Sequence, residues 1–165
     1  ADYLQMIAFK TGALIRSGME IGALLATDDP AAFQAFSRFG NCVGRAFQIR
    51  DDYLGIWGDS SLMGKSAGND IRRRKKSFPI VYAFEKAVGQ NRDDLLRIYA
   101  QEEIDDDDVS RVLVILEEVG AREESQSLTE TNAEEALEAI SLVSLPTWAR
   151  TEAEGLVDFL ARRQY

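Results

Sequence analysis

The sequence contains no histidine. That absence excludes zinc sites built on imidazole, Ser-His-Asp triads and histidine acid–base catalysis together. Any metal has to be held by oxygen ligands, which narrows the choice to hard cations such as Mg2+, Mn2+ or Ca2+. Cysteine is nearly missing as well. Cys42 is the single one, so no disulfide forms within the chain, and its apolar helical surroundings read as a buried core thiol. No apolar run approaches the ~20 residues of a membrane span. No signal-peptide pattern is visible, and the expected location is the cytoplasm. The sequence opens on Ala1, inside a helical pattern and not on Met, which reads as a cut or processed end. Strand alternation, hairpin signals and internal repeats are lacking too.

What is present describes a globular chain: 165 residues, 45% hydrophobic and 28% charged, enough for one domain with a real core. The net charge of −9 argues against a general nucleic-acid binder, which needs a broad positive field. The charge is unevenly spread, however. Between Lys65 and Lys76 stand six cations and one acid, Asp70. A cationic island in an acidic chain suits a small anionic ligand better than a polymer.

The periodicity is helical nearly throughout, and the predicted fold is all-α. A first helix is expected over about Tyr3 to Ala26, dotted with Gly12, Ser17, Gly18 and Gly22, small residues that let another helix approach closely. Thr27-Asp28-Asp29-Pro30 is a break with capping residues followed by a proline suited to a first turn. A second helix is expected over about Ala31 to Leu54, with Phe33, Phe36, Phe39, Val43 and Phe47 on one stripe and Gly55 and Gly58 ending it. Asp59 to Ser77 reads as the longest non-helical stretch, a length usual for functional or disordered loops. Helical patterns resume near Ile80–Val88, Arg92–Ala100, Asp107–Val119, Ala121–Leu142 and Trp148–Arg163.

The chemistry concentrates between Phe47 and Pro79. Asp51 and Asp52 fall near the expected end of an apolar helix, where the macrodipole is already negative and acids are disfavoured unless a cation compensates. Mg2+ is one such cation, since it takes one or two carboxylates plus phosphate oxygens; a solvated helix end beside Arg50 is the plainer reading. Gln48 lies one turn before Asp51 and shares its face. The loop GKSAGND (Gly64–Asp70) brings Lys65, a point charge suited to phosphate. It is no nucleotide-binding loop, because Gly58 and Gly64 are too far apart for G-x-x-x-x-G-K-[ST] and a helix precedes them. The run Arg72–Lys76 reads either as a solvated charged turn or as a phosphate grip. Lys10-Thr11 sits in the apolar stretch MIAFKTGALI, so Lys10 either snorkels to water or faces a polar cavity. Asp105–Asp108 precedes the apolar run Val112–Leu116 and reads as a helix cap and first turn. Asp28-Asp29 and Asp93-Asp94 read the same way, and loss of Asp107 is expected to cost no more than a cap.

The order KTGALI, AFQIRDDYLG, GKSAGNDI, KKSFP resembles the C-terminal half of the trans-isoprenyl diphosphate synthases, the polyprenyl synthetases. The likeness covers about Tyr3–Ala87 in motif detail, and the helical remainder is compatible with it. The resemblance implies part of an isoprenoid-synthase-type helical bundle, with residues 1–165 as the C-terminal portion of the domain. It implies a geranylgeranyl- or farnesyl-type prenyltransferase: an allylic prenyl diphosphate ionises with the help of Mg2+ (or Mn2+), and the double bond of isopentenyl diphosphate attacks the cation. By motif, Asp51 and Asp52 are then metal ligands, and Lys10, Lys65 and Lys75 grip the allylic diphosphate or stabilise its departure. Thr11 and Gln48 line the allylic pocket, and Phe47 and its apolar neighbours shelter the carbocation. A homodimer is implied for the full-length parent.

Two departures stand out. The family's second motif is DDxxD, whereas here it reads DDYLG, with Gly55 in place of the last acid. The first DDxxD, expected before Lys10, is absent. The expectation is therefore about half of a catalytic domain, inactive alone; a non-catalytic partner subunit and a class I terpene cyclase are the alternatives.

Overall fold

The computed structural model describes residues 2–58 and 68–163. Every regular element among them is helical. Helix α1 (Asp2–Ile7) leads through a π-helical stretch (Ala8–Gly12) into α2 (Ala13–Ala26); α3 (Pro30–Trp57), the single turn α4 (Asn69–Arg72), α5 (Phe78–Lys86), α6 (Gly89–Ala100), α7 (Asp106–Glu118), α8 (Ala121–Ser141) and α9 (Thr147–Arg162) follow. No described helix is long and apolar enough to cross a membrane.

The described residues divide into two compact units, residues 2–50 with 127–163 and residues 51–126. The first has a core of Phe39, Cys42, Val43, Ala136, Ala139, Ile140 and Val157. Its α3 starts where the sequence places a break: Asp29 Oδ1 accepts from the Ala31 N–H at 2.9 Å, and Pro30 takes the first position, whose N–H is dispensable. The approach of α3 to the π stretch is set by glycine. A Cβ on Gly44 would lie 2.6 Å from Gly12 Cα, and one on Gly40 would lie 2.7 Å from Arg16 Cα. Of the small residues expected to admit a helix, Gly12 is used here, whereas Gly18 and Gly22 face open space. Cys42 is buried. Burial first, and then the Glu135 carboxylate beside it, push its thiol up to about 11, which makes it unreactive at neutral pH.

The second unit packs Ile56, Ile71, Ile80, Leu95, Ile98, Val112, Ile115 and Leu116. Its α3 segment continues through Gly55 to Trp57, beyond the end expected from the glycines. Consequently Asp51 and Asp52 stand more than a turn inside the helix, away from the carbonyl end where the macrodipole penalty applies. The segment expected to be non-helical contains α4, and α5 begins two residues earlier than the periodicity suggests. Residues 59–67, Lys65 included, lie outside the described residues. Gly68 adopts a left-handed φ of 74°, and a Cβ there would meet Val109 at 2.8 Å, so glycine is needed on both counts.

The acidic runs are structural, with two adjustments. Asp105 is the cap of α7, its Oδ1 accepting from the Asp108 N–H at 2.8 Å, so the cap-sized role lies with Asp105 and not with exposed Asp107. Asp94 lies within α6 and pairs with Arg111 Nε at 2.8 Å; that hydrogen bond holds its carboxyl below the usual range. Urea denaturation of Asp105→Ala should show a loss of about 1 kcal/mol, and Asp107→Ala a change within about 0.5 kcal/mol. A larger loss for Asp107 would mean that the cap is misassigned.

Candidate functional site

In the second unit, α3 offers Asp51 and Asp52 side by side, and the turn after α4 brings Lys75 to them. Lys75 Nζ lies 3.6 Å from Asp51 Oδ2, 3.2 Å from Asp52 Oδ1 and 2.9 Å from Asp70 Oδ2. Asp51 is half exposed, whereas Asp52 is completely buried. A buried carboxylate requires partners. Asp52 has the ammonium on one oxygen, and its Oδ2 accepts from the Phe78 N–H at 2.8 Å. Phe78 opens α5, where Ser77 makes no side-chain cap. Asp52 thus supplies the missing cap and so explains the early start of that helix.

Lys75 is two-fifths exposed. Burial pulls its pKa down, but the hydrogen bond to Asp70 and the charges of Asp52 and Asp70 outweigh that and raise it above the usual lysine range. The ammonium is therefore a permanent positive charge. The neighbouring cations are engaged differently. Arg72 pairs with Asp106, Arg74 donates to the Glu102 carbonyl, and Arg73 and Lys76 are exposed. Arg74 also has a left-handed φ of 51°, which turns the chain so that the next residue points back at Asp70. The α3 segment is steadied by Tyr53, whose hydroxyl accepts from Arg122 Nε and Gln126 Nε2, both at 3.2 Å.

In the first unit, Thr11 Oγ1 donates to Gln48 Oε1 at 2.8 Å, so two residues singled out from sequence are brought together. Thr11 and Lys10 sit on the π-helical stretch, a local widening often found at functional sites; Lys10 is exposed there, which fits the snorkelling alternative. Phe47 is half-buried. The Arg163 guanidinium lies over one face of its ring, 4.4 Å from the centroid.

Asp70 is the site residue that sequence reasoning missed. Its signal was present in two places, the acid ending GKSAGND and the absent side chain at Gly55. Among the described residues no group of three or more acidic or thiol side chains forms a ready metal cage; the carboxylates converge on Lys75 instead. An all-oxygen donor set of one exposed and one buried carboxylate still matches what Mg2+ asks of a protein, one or two carboxylates with the remaining positions left to water and phosphate.

Comparison with known proteins adds to this geometry. The family model described as polyprenyl synthetase matches residues 1–116. The geranylfarnesyl diphosphate synthase of Aeropyrum pernix is 35% identical over 164 residues, covering 99% of this chain and 50% of that protein. Among solved structures, the geranylgeranyl pyrophosphate synthetase of Pyrococcus horikoshii superposes with a TM-score of 0.90 at 31% identity, over 98% of this chain and 48% of that one. A geranylgeranyl pyrophosphate synthase from Corynebacterium glutamicum, complexed with isoprenyl diphosphate and magnesium, gives 0.73 at 28% identity, over 82% of this chain and 38% of that one. The all-α fold is thus an isoprenyl-synthase fold, and the chain spans about half the length of the curated relatives it matches.

The two aspartates should separate in stability. Asp52→Ala removes the α5 cap and a buried ion-pair partner, so its unfolding free energy should fall by roughly 2 kcal/mol. Asp51→Ala should stay within about 0.5 kcal/mol of the parent. Equal losses in chemical denaturation would contradict the assigned roles.

Proposed function

The chain belongs to the polyprenyl synthetase family, and from that premise we propose that residues 1–165 form the C-terminal portion of a prenyltransferase domain. The proposed reaction is the condensation of an allylic prenyl diphosphate with isopentenyl diphosphate by a geranylgeranyl- or farnesyl-type synthase. The observation that carries the reading is the convergence of Asp51, Asp52 and Asp70 on the Lys75 ammonium. Groups for a cation and a group for an anion meet there at one point.

In this reading Asp51 and Asp52 would hold Mg2+ (or Mn2+), and the bound metal would supply Lewis-acid charge to the diphosphate oxygens. Lys75, Lys65 and Lys10 bind the diphosphate and stabilise its charge as the allylic C–O bond breaks and the pair of electrons leaves with oxygen. The double bond of isopentenyl diphosphate then forms the new C–C bond, and a proton is lost. Thr11 and Gln48, joined by their hydrogen bond, present a fixed polar edge to the allylic substrate. Asp52, buried and committed to the Phe78 N–H, keeps the α3 carboxylate pair rigid, while the half-exposed Asp51 is the more accessible ligand.

The sequence contains no DDxxD, so turnover requires a second clamp in addition to this one, and the chain by itself binds without turning over. The same fact favours a second reading, a non-catalytic partner of a complete synthase. A homodimer of the full-length parent is supported by the open α2 face at Gly18 and Gly22; sedimentation of the parent as a monomer would count against it.

In the full-length parent, Asp51→Ala should lower Mg2+-dependent turnover at least ~100-fold, with Asp107→Ala near normal. Near-normal turnover of the Asp51 variant, measured with an allylic diphosphate and isopentenyl diphosphate, would overturn the metal assignment.

A further inference from the structure

Asp51 and Asp52 are shared in the geometry described above. They face Lys75, and they are also the carboxylates assigned to a divalent cation. A cation drawn to them competes with the ammonium for the same oxygens, and two positive charges a few ångströms apart repel. A lysine anchored by those two alone would be displaced as the metal arrived. Lys75 therefore needs an anchor that the metal does not claim.

We propose that Asp70 is that anchor, a positioning residue for Lys75, and that Gly55 is the residue that makes room for it. The proposal rests on the reading of Lys75 as a diphosphate-binding group. Of the three carboxylates, Asp70 is the nearest to Nζ, at 2.9 Å. It also holds the lysine by its backbone, since the Lys75 N–H donates to the Asp70 carbonyl at 2.9 Å. Both ends of Lys75 are thus tied to one residue. Asp70 is itself fixed: it is 8% exposed, and its neighbour Ile71 is completely buried in the core of the unit.

The seat exists because residue 55 has no side chain. A Cβ there would lie 2.2 Å from Asp70 Oδ2 and 2.5 Å from Asp70 Cγ, far inside van der Waals contact. A side chain at 55 and the Asp70 carboxylate in its present place exclude each other. The Gly55 that departs from DDxxD is therefore more than a lost ligand. It leaves free the space that the Asp70 carboxylate fills, and that carboxylate faces the lysine.

A double-mutant cycle tests this, with inorganic diphosphate titrated calorimetrically into the full chain at saturating Mg2+. Asp70→Asn and Lys75→Ala should each weaken diphosphate binding by ~10-fold, the scale of one charge-assisted hydrogen bond. The double variant should be no weaker than Lys75→Ala alone, because Asp70 acts through the lysine. Gly55→Ala, which displaces the Asp70 carboxylate without changing any charge, should reproduce Asp70→Asn and should have no effect in the Lys75→Ala background. Gly55→Ala also serves as the independent probe if Asp70→Asn fails to fold by circular dichroism. Multiplicative losses in the double variant, or a Gly55→Ala chain that binds as tightly as the parent, would overturn the positioning role. A Lys75→Ala chain that binds normally would instead overturn the diphosphate reading on which it rests.

Discussion

A single ammonium, that of Lys75, gathers three carboxylates delivered by two short stretches of chain, and the second unit is organised around that contact. Neighbouring carboxylates repel by a few kcal/mol at the effective dielectric of a protein surface, and Asp52 is entirely withdrawn from water. Without a central cation and the Phe78 N–H, such a cluster would be strongly destabilising. With them it fixes the direction of α3, the start of α5 and the turn between α4 and α5 at once. The formal charge of the cluster remains negative, three acids against one lysine. That surplus equals the charge of one divalent cation, which is the electrostatic basis of the proposed clamp.

Around this contact the fold uses absent side chains as deliberately as present ones. Gly12 and Gly44 bring two backbones of the first unit together and leave Thr11 within reach of Gln48. In the second unit Gly55 admits Asp70, and Gly68 both adopts a left-handed conformation and clears Val109. At Gly44, Gly55 and Gly68 an added methyl group would press respectively on the Gly12 backbone, the Asp70 carboxylate and the Val109 side chain.

Much of this was legible in the sequence, for reasons that differ between residues. Helix positions followed from apolar periodicity, and the Asp29-Pro30 start and the Asp105–Asp108 first turn followed from local capping chemistry that operates within a few residues. Asp51, Asp52 and Lys75 were singled out as types and by motif, and the structure brings them within 3.6 Å. What periodicity misses is long-range. The need for glycine at position 55 inside α3 comes from Asp70, fifteen positions away. The early start of α5 depends on a carboxylate of α3, and the occupied face of Phe47 depends on Arg163. The π-helical stretch at Lys10-Thr11 leaves no mark in residue type, because one inserted residue shifts the phase of the helix without changing its composition.

The central claim is that Asp51 and Asp52 hold a divalent cation while Lys75 holds the diphosphate beside it. Anomalous diffraction from crystals of the chain grown with Mn2+ and inorganic diphosphate tests it most directly. The account predicts an anomalous peak in coordination contact with Asp51 and Asp52, with a diphosphate oxygen on Lys75 and the Lys75–Asp70 contact intact. A peak at Asp105–Asp108 instead, or none at the α3 carboxylates with diphosphate bound elsewhere, would contradict it.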